Sequence, residues 1–287
     1  MRLIGMTMRR TIESNQIEVS RFPGWDGYRD ISHFVTTRHG GVSRGAFATL
    51  NLGIHTPDNP ESVRKNITLL AGAIGIAPER IYMPRQTHGD RIRAIDATFL
   101  SWDAFRQREY LEGVDALMTE VPGVCVSVST ADCVPILLYD PVRRVVGAVH
   151  AGWRGTVLRV ARKAIEGMME RYACDPADIC AGIGPSISKA AFEVGEEVVL
   201  AFLKAGFPLE RWLSRSPVTG KAHIDLWGIN RFLLEEIGVS PNHIEVAGIC
   251  TYEHHADYFS ARRLGVASGR MLSGIFLREN RMENNIY

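Results

Sequence analysis

A chain of 287 residues with 46% apolar composition can bury a full core, as one large domain or two small ones, and its 33 Lys and Arg against 32 Asp and Glu leave a formal charge of +1. That balance excludes a global field drawing in nucleic acid or an anionic membrane, so any anionic ligand must be held by local arginines. Five cysteines without a CxxC pair argue against a disulfide framework or a zinc ribbon and for a reducing, cytoplasmic setting, and every apolar stretch breaks well before the roughly 20 residues of a membrane helix.

From the amino terminus, Met1 to Thr11 carries arginines at 2, 9 and 10 but only Leu3 to Met6 as an apolar run, too short for a secretory signal. Residues 1–21 are expected to be an N-terminal extension, and residues 22–287, which hold no repeat, low-complexity tract or Pro/Ser-rich linker, a single domain. His33 to Thr37 reads as a strand running into the turn-rich segment Arg38-His39-Gly40-Gly41-Val42-Ser43. Pro60 to Ile74 reads as a helix, with Val63, Ile67, Leu70 and Ile74 on one face.

A strand over 80–84 is expected to deliver Gln86-Thr87-His88-Gly89-Asp90 into a turn. Apolar runs over 124–130, 134–139 and 144–150 predict three strands, followed by a helix over 156–172 with Val157, Val160, Ala164 and Met168 turned inward. A strand over 178–183, helices over 193–204 and 226–237, and strands over 243–249 and 270–277 complete an α/β or α+β sandwich. The periodicities leave the strand order open.

Cys133 follows the apolar run 124–128 and His150 the run 145–149. A thiol and an imidazole presented in this way can share a metal ion or act as a nucleophile and its base. Asp132 and Pro135 do not suit a strand centre, because a buried aspartate needs a partner and proline donates no ladder hydrogen bond; the segment reads as a strand end opening into a pocket. Gly152, Trp153, Arg154 and Gly155 follow His150 at a helix entry, where free backbone N–H groups and an arginine suit an anion.

His88 would complete a three-ligand set with an open fourth position, although the spacing 88, 133, 150 forms no local motif. Arg38 with Gly40 and Gly41 is either a second anion site or an ordinary turn, and Asn51 either a ligand-orienting amide or a turn former. Arg262-Arg263, with Arg270 close behind, reads as a basic wall or, more simply, a solvated face.

Thr37-Arg38-His39-Gly40-Gly41-Val42-Ser43, Leu50-Asn51-Leu52-Gly53, Gln86-Thr87-His88-Gly89, Thr130-Ala131-Asp132-Cys133-Val134-Pro135, His150-Ala151-Gly152-Trp153-Arg154-Gly155 and Phe259-Ser260-Ala261-Arg262-Arg263 stand in the order found in one family. From about Phe22 to Leu277 the chain resembles the laccase-domain proteins, also called the multicopper polyphenol oxidoreductase or peptidoglycan-editing-factor family. The resemblance implies a single-domain mixed sheet layered by helices, similar to a catalytic toxin domain. It implies metal ligands at His88, Cys133 and His150, with zinc as the metal and copper in oxidase-active members.

It further implies phosphorolysis of adenosine, inosine and methylthioadenosine, and deamination of adenosine. Ser186 stands where the family usually carries a cysteine, which leaves Cys133 as the committed thiol, and Ile67 where it often carries an arginine. The partners would be a purine nucleoside and phosphate, with Arg38, Gly40, Gly41, Ser43, Asn51 and Arg154 as candidates for holding them and Asp132 as the proton shuttle. Outside that class, Cys133 with His150 as base would make a metal-free thiol hydrolase or amidase, including one that edits peptidoglycan precursors. Copper in the same soft site would suit phenol oxidation.

Overall fold

The computed structural model describes residues 8–13 and 16–279, so part of the expected N-terminal extension (1–7 and 14–15) lies outside the described residues. The first sheet contains β1 (Arg9–Ile12), β2 (Glu18–Arg21), β3 (Ile31–Thr36), β4 (Ile81–Tyr82), β7 (Cys125–Thr130) and β15 (Met271–Leu277), in the order β1-β2-β3-β15-β7-β4. The second contains β5 (Ile92–Ala94), β6 (Ala116–Thr119), β8 (Val134–Asp140), β9 (Val145–Ala151), β10 (Cys180–Ile183) and β14 (Ile244–Val246), in the order β14-β10-β8-β9-β6-β5. Both are mixed: β4 pairs parallel with β7, β5 with β6 and β10 with β14, and the remaining pairs are antiparallel. A small antiparallel sheet joins β11 (Glu193–Val194), β12 (Leu213–Arg215) and β13 (Ala222–Ile224).

The helices are α1 (Pro60–Ile74), α2 (Ala97–Leu100), α3 (Ala104–Tyr110), α4 (Trp153–Val157), α5 (Val160–Tyr172), α6 (Glu196–Lys204), α7 (Leu226–Glu236) and α8 (Ala261–Leu264). Among the described residues, no helix is long and apolar enough to cross a membrane.

Strand alternation assigns each side chain to a layer. In β8, Val134, Ile136 and Leu138 pack against α5, α6 and α7, while Leu137 and Tyr139 face the other sheet. In β7 and β15, Val126, Val128 and Ile275 point between the sheets, and Cys125, Leu272 and Phe276 point outward toward Leu70 and Ala71 of α1. The layers therefore run α1, first sheet, second sheet, α5 to α7. Because the central strands are buried on both faces, they read as continuous apolar runs rather than alternating ones. Each fully buried aliphatic side chain contributes roughly 1.5–3 kcal/mol to holding the layers together.

Several element boundaries differ from the sequence expectation. Residues 9–12 and 18–21, assigned above to an extension, form the edge hairpin of the first sheet. The helix expected over 156–172 is two: Arg159 adopts a left-handed conformation (φ 61°) and separates α4 from α5. Glu193 and Val194 extend rather than coil because they pair with His223 and Ala222 of β13, a non-local partner that local helical pattern does not register.

Candidate metal centre

Three segments meet at one end of the sandwich. β7 belongs to the first sheet and β8 to the second, so residues 131–133 make the crossing, and Cys133 sits on it. Asp132 takes a left-handed conformation there (φ 88°). Its Oδ1 accepts the Thr251 hydroxyl (2.7 Å) and its Oδ2 the Arg262 backbone N–H (2.7 Å), which holds an otherwise unfavourable turn. His150 stands near the end of β9, opposite Pro135. His88 follows β4 on a left-handed turn residue (φ 61°).

The donor atoms of His88, Cys133 and His150 lie within 4.8 Å of one another. The two imidazoles meet edge to face, with ring centroids 4.9 Å apart. His150 is buried, Cys133 half-buried and His88 exposed, so the cluster has an inner wall and an open side. Only glycine fits at 152, where a Cβ would come within 2.9 Å of His88 Cδ2 and 3.0 Å of Cys133 Sγ.

Asp115, fully buried, ties two of these segments together. Pairing of β6 with β9 brings it beside His150, whose Nδ1 lies 2.7 Å from Asp115 Oδ1 and whose backbone N–H donates to the Asp115 carbonyl (2.8 Å). The same carboxylate accepts the backbone N–H groups of His88 (3.0 Å) and Gly89 (2.7 Å). With Nδ1 committed to Asp115, Nε2 of His150 is left for a metal or for Cys133.

Burial alone would raise the Asp115 carboxyl, but the His150 contact and the turn amides outweigh it and hold it below its ordinary value. Burial would likewise raise the Cys133 thiol, yet the neighbouring His150 and His88 draw it below its ordinary value. His150 moves the other way: burial disfavours its charged form, and the Cys133 and Asp115 contacts overcome that. Thiolate is thus the favoured state of Cys133, as metal ligation and nucleophilic attack both require.

The cluster opens into a cavity of about 510 Å³, a volume suited to a small ligand. Arg262, Arg270, His55, Gln86 and Phe192 complete its wall. The half-buried Arg270 is held by its own loop, with Nη1 donating to the Ser268 (2.6 Å) and Gly269 (3.0 Å) carbonyls and Nη2 to that of Val266 (3.0 Å).

Residues 32–278 match the family model described as multi-copper polyphenol oxidoreductase laccase. The chain belongs to this family. Within the laccase family it is 48% identical over 252 residues to the purine nucleoside phosphorylase of Bacteroides thetaiotaomicron, covering 88% of this chain and 93% of that protein. It is 42% identical over 260 residues to adenosine deaminase RL5 from an unknown prokaryotic organism, covering 91% and 99%. Among solved structures, hypothetical protein YfiH from Bacillus licheniformis superposes with a TM-score of 0.84 at 31% identity, covering 94% of this chain and 99% of that one.

The cavity of this laccase-family chain does not draw on every residue that the sequence singles out. His88, Cys133, His150 and Asp132 line it; Arg38, Gly40, Gly41, Ser43, Asn51 and Arg154 do not. Arg38 spends its guanidinium on the Ala48 and His255 carbonyls (2.9 and 2.7 Å) and stacks on Phe259. Gly41 allows close packing, since a Cβ there would meet the Thr49 carbonyl at 2.2 Å. The Ser43 hydroxyl donates to Asp58 (2.6 Å). Arg154 is exposed and lies over the Trp153 ring.

The arginines at the cavity are instead Arg262 and Arg270; Arg262 and Arg263 are both exposed, as a solvated face expects, and the turn fixed by Asp132 sets Arg262 beside the cavity as well. Asp132 accepts one hydrogen bond on each carboxylate oxygen, from the Thr251 hydroxyl and the Arg262 backbone N–H, so it also anchors the crossing turn. Sequence reasoning missed Asp115, although an aspartate inside the apolar run Val114 to Met118 was a usable signal. Two imidazoles and a thiolate with a carboxylate behind one imidazole are a donor set that suits zinc or copper, so the residues fit a metal ion.

Proposed function

We propose that this protein is a zinc-dependent purine nucleoside phosphorylase that also deaminates adenosine, with His88, Cys133 and His150 holding the zinc. The observation that carries the reading is one cavity joining an N, N, S donor cluster to two arginines, in a family with relatives named for both activities. A bound zinc would supply Lewis-acid polarisation there. Arg270, held by three carbonyl contacts, and Arg262, stacked on Phe192, are suited to meet phosphate at the cavity wall. Asp115 keeps His150 oriented and the 87–89 turn in register. Five unpaired thiols support the cytoplasm as the place of action.

Adenosine and inosine, incubated with purified protein with and without phosphate, should give free base only with phosphate and inosine from adenosine in either case, read by product chromatography. Cys133→Ala should lose both activities by about 100-fold or more, since removing a ligand costs at least what an outer partner does. Absence of conversion by the wild-type protein overturns the reading.

One observation favours a second reading: Asp115, His150 and Cys133 stand in the sequence of contacts of a thiol hydrolase. Stoichiometric metal that survives dialysis of freshly purified protein counts against it. The same measurement, on protein expressed without added copper, separates zinc from copper.

A further inference from the structure

Either nucleoside reaction needs a group that takes a proton from the nucleophile and returns it to the leaving group. The cavity wall carries seven titratable side chains: His55, His88, Asp132, Cys133, His150, Arg262 and Arg270. Three of these form the donor cluster, two are guanidiniums that keep their protons, and the Asp132 carboxylate is committed to holding the crossing turn through Thr251 and the Arg262 N–H. His55 remains. It is exposed to the cavity, and among the described residues its ring nitrogens have no recorded hydrogen bond.

The turn carrying His55 is braced on both sides of it. Buried Asn51 donates to Thr56 Oγ1 (2.8 Å) and accepts the Gly53 N–H (3.0 Å), and the Thr56 hydroxyl closes the turn on the Gly53 carbonyl (2.7 Å). The same Asn51 side-chain oxygen accepts the Arg270 backbone N–H (2.9 Å), so one amide ties the turn that carries His55 to the Arg270 backbone. Gly53 is the contact point, since a Cβ there would meet Thr56 Cγ2 at 2.6 Å and Arg270 Cγ at 2.8 Å.

We propose that His55 is the catalytic proton carrier of this site. The proposal rests on the purine-nucleoside reading. In phosphorolysis, an oxygen of dihydrogen phosphate bonds to C1′ and the C1′–N9 bond breaks with its electron pair going to the purine. The phosphate proton passes through the His55 imidazole to the purine nitrogen, leaving sugar phosphate and neutral base, with His55 restored to its starting state. Partial burial and then Arg85 hold His55 below its ordinary value, against an opposing pull from Glu112. That direction favours the neutral imidazole, which can accept a proton.

The test is His55→Gln, which keeps a polar side chain but cannot relay a proton, assayed on the zinc-loaded protein with inosine and phosphate. Expected are a kcat about 100-fold lower, in the range of general acid–base effects, and a KM within about threefold of wild type. The low-pH limb of the wild-type profile, where His55 takes up a proton, should flatten in the variant. His55→Ala should regain activity when free imidazole is added, which a purely structural role would not produce. A variant with kcat within about threefold of wild type and an unchanged pH profile overturns the proposal while leaving the proposed function standing. A wild-type protein that converts no nucleoside overturns both. Unchanged zinc content and melting temperature in the variants show that the loss is chemical.

Discussion

Asp115 is the residue on which the centre's geometry depends most, because one buried carboxylate fixes both a histidine ring and the turn that presents another. Asp115→Asn keeps the shape but replaces one acceptor oxygen with a donor, which cannot serve both His150 and the 87–89 amides. Zinc affinity measured by chelator competition should fall about 10- to 100-fold, the range for outer-shell partners of metal ligands. Unchanged affinity would show that backbone pairing of β6 with β9 suffices to hold His150. Cys133 and His150 were legible in sequence because each follows an apolar run, and His88 because it stands where a strand enters a turn. Asp115 sits inside such a run, and nothing local indicates which histidine it meets.

The elements converging on the centre are strand ends, and their glycines set how closely they approach. Gly152 caps α4 with extended backbone (φ −65°, ψ 170°), so its backbone angles are open to any residue and contact alone demands glycine. Gly152→Ala forces a methyl against His88 and Cys133 and should reduce both zinc content and nucleoside turnover, by metal analysis and product assay. A normal zinc content would mean that the 87–89 turn can shift without losing its ligand. The apolar runs that became β7, β8, β9 and β15 were readable because burial on both faces leaves little room for polar residues. Short strands such as β5, β12 and β13 were not readable, because three residues carry too little pattern to register a period.

At the scale of the whole molecule, two sheets face each other across a core that includes a buried polar ring, His33. Its Nε2 accepts the Phe22 N–H (2.9 Å), and the ring packs against Phe22 and Trp25. Burial, followed by the charges of Arg21 and Arg278, lowers its pKa to about 3. The unfolded chain, with an ordinary imidazole near 6.5, binds more protons between these values, so stability is full above about pH 6.5 and falls as pH drops toward 3, by up to about 1.4 kcal/mol per unit. Urea midpoints measured across that interval should fall in the wild type and fall less steeply in His33→Gln. Equal slopes would show that another group dominates the acid sensitivity.

By itself the sequence determined the α+β class and the central strands, because apolar runs and the residues that interrupt them are local signals of burial, and it singled out His88, Cys133 and His150, whose convergence the tertiary structure decided. Tertiary structure alone decided which polar residues share the cavity. Arg38 and Arg154 looked as suitable for an anion as Arg262 and Arg270, and the difference lies in placement: all four guanidiniums meet backbone carbonyls or aromatic rings, but only the second pair lines the cavity. The crossing turn at Asp132, the Asn51 amide and the loop of residues 265–269 bring that pair, with His55, to the cavity of the donor cluster. These contacts join segments up to more than two hundred residues apart, a distance over which no spacing rule in the chain can act.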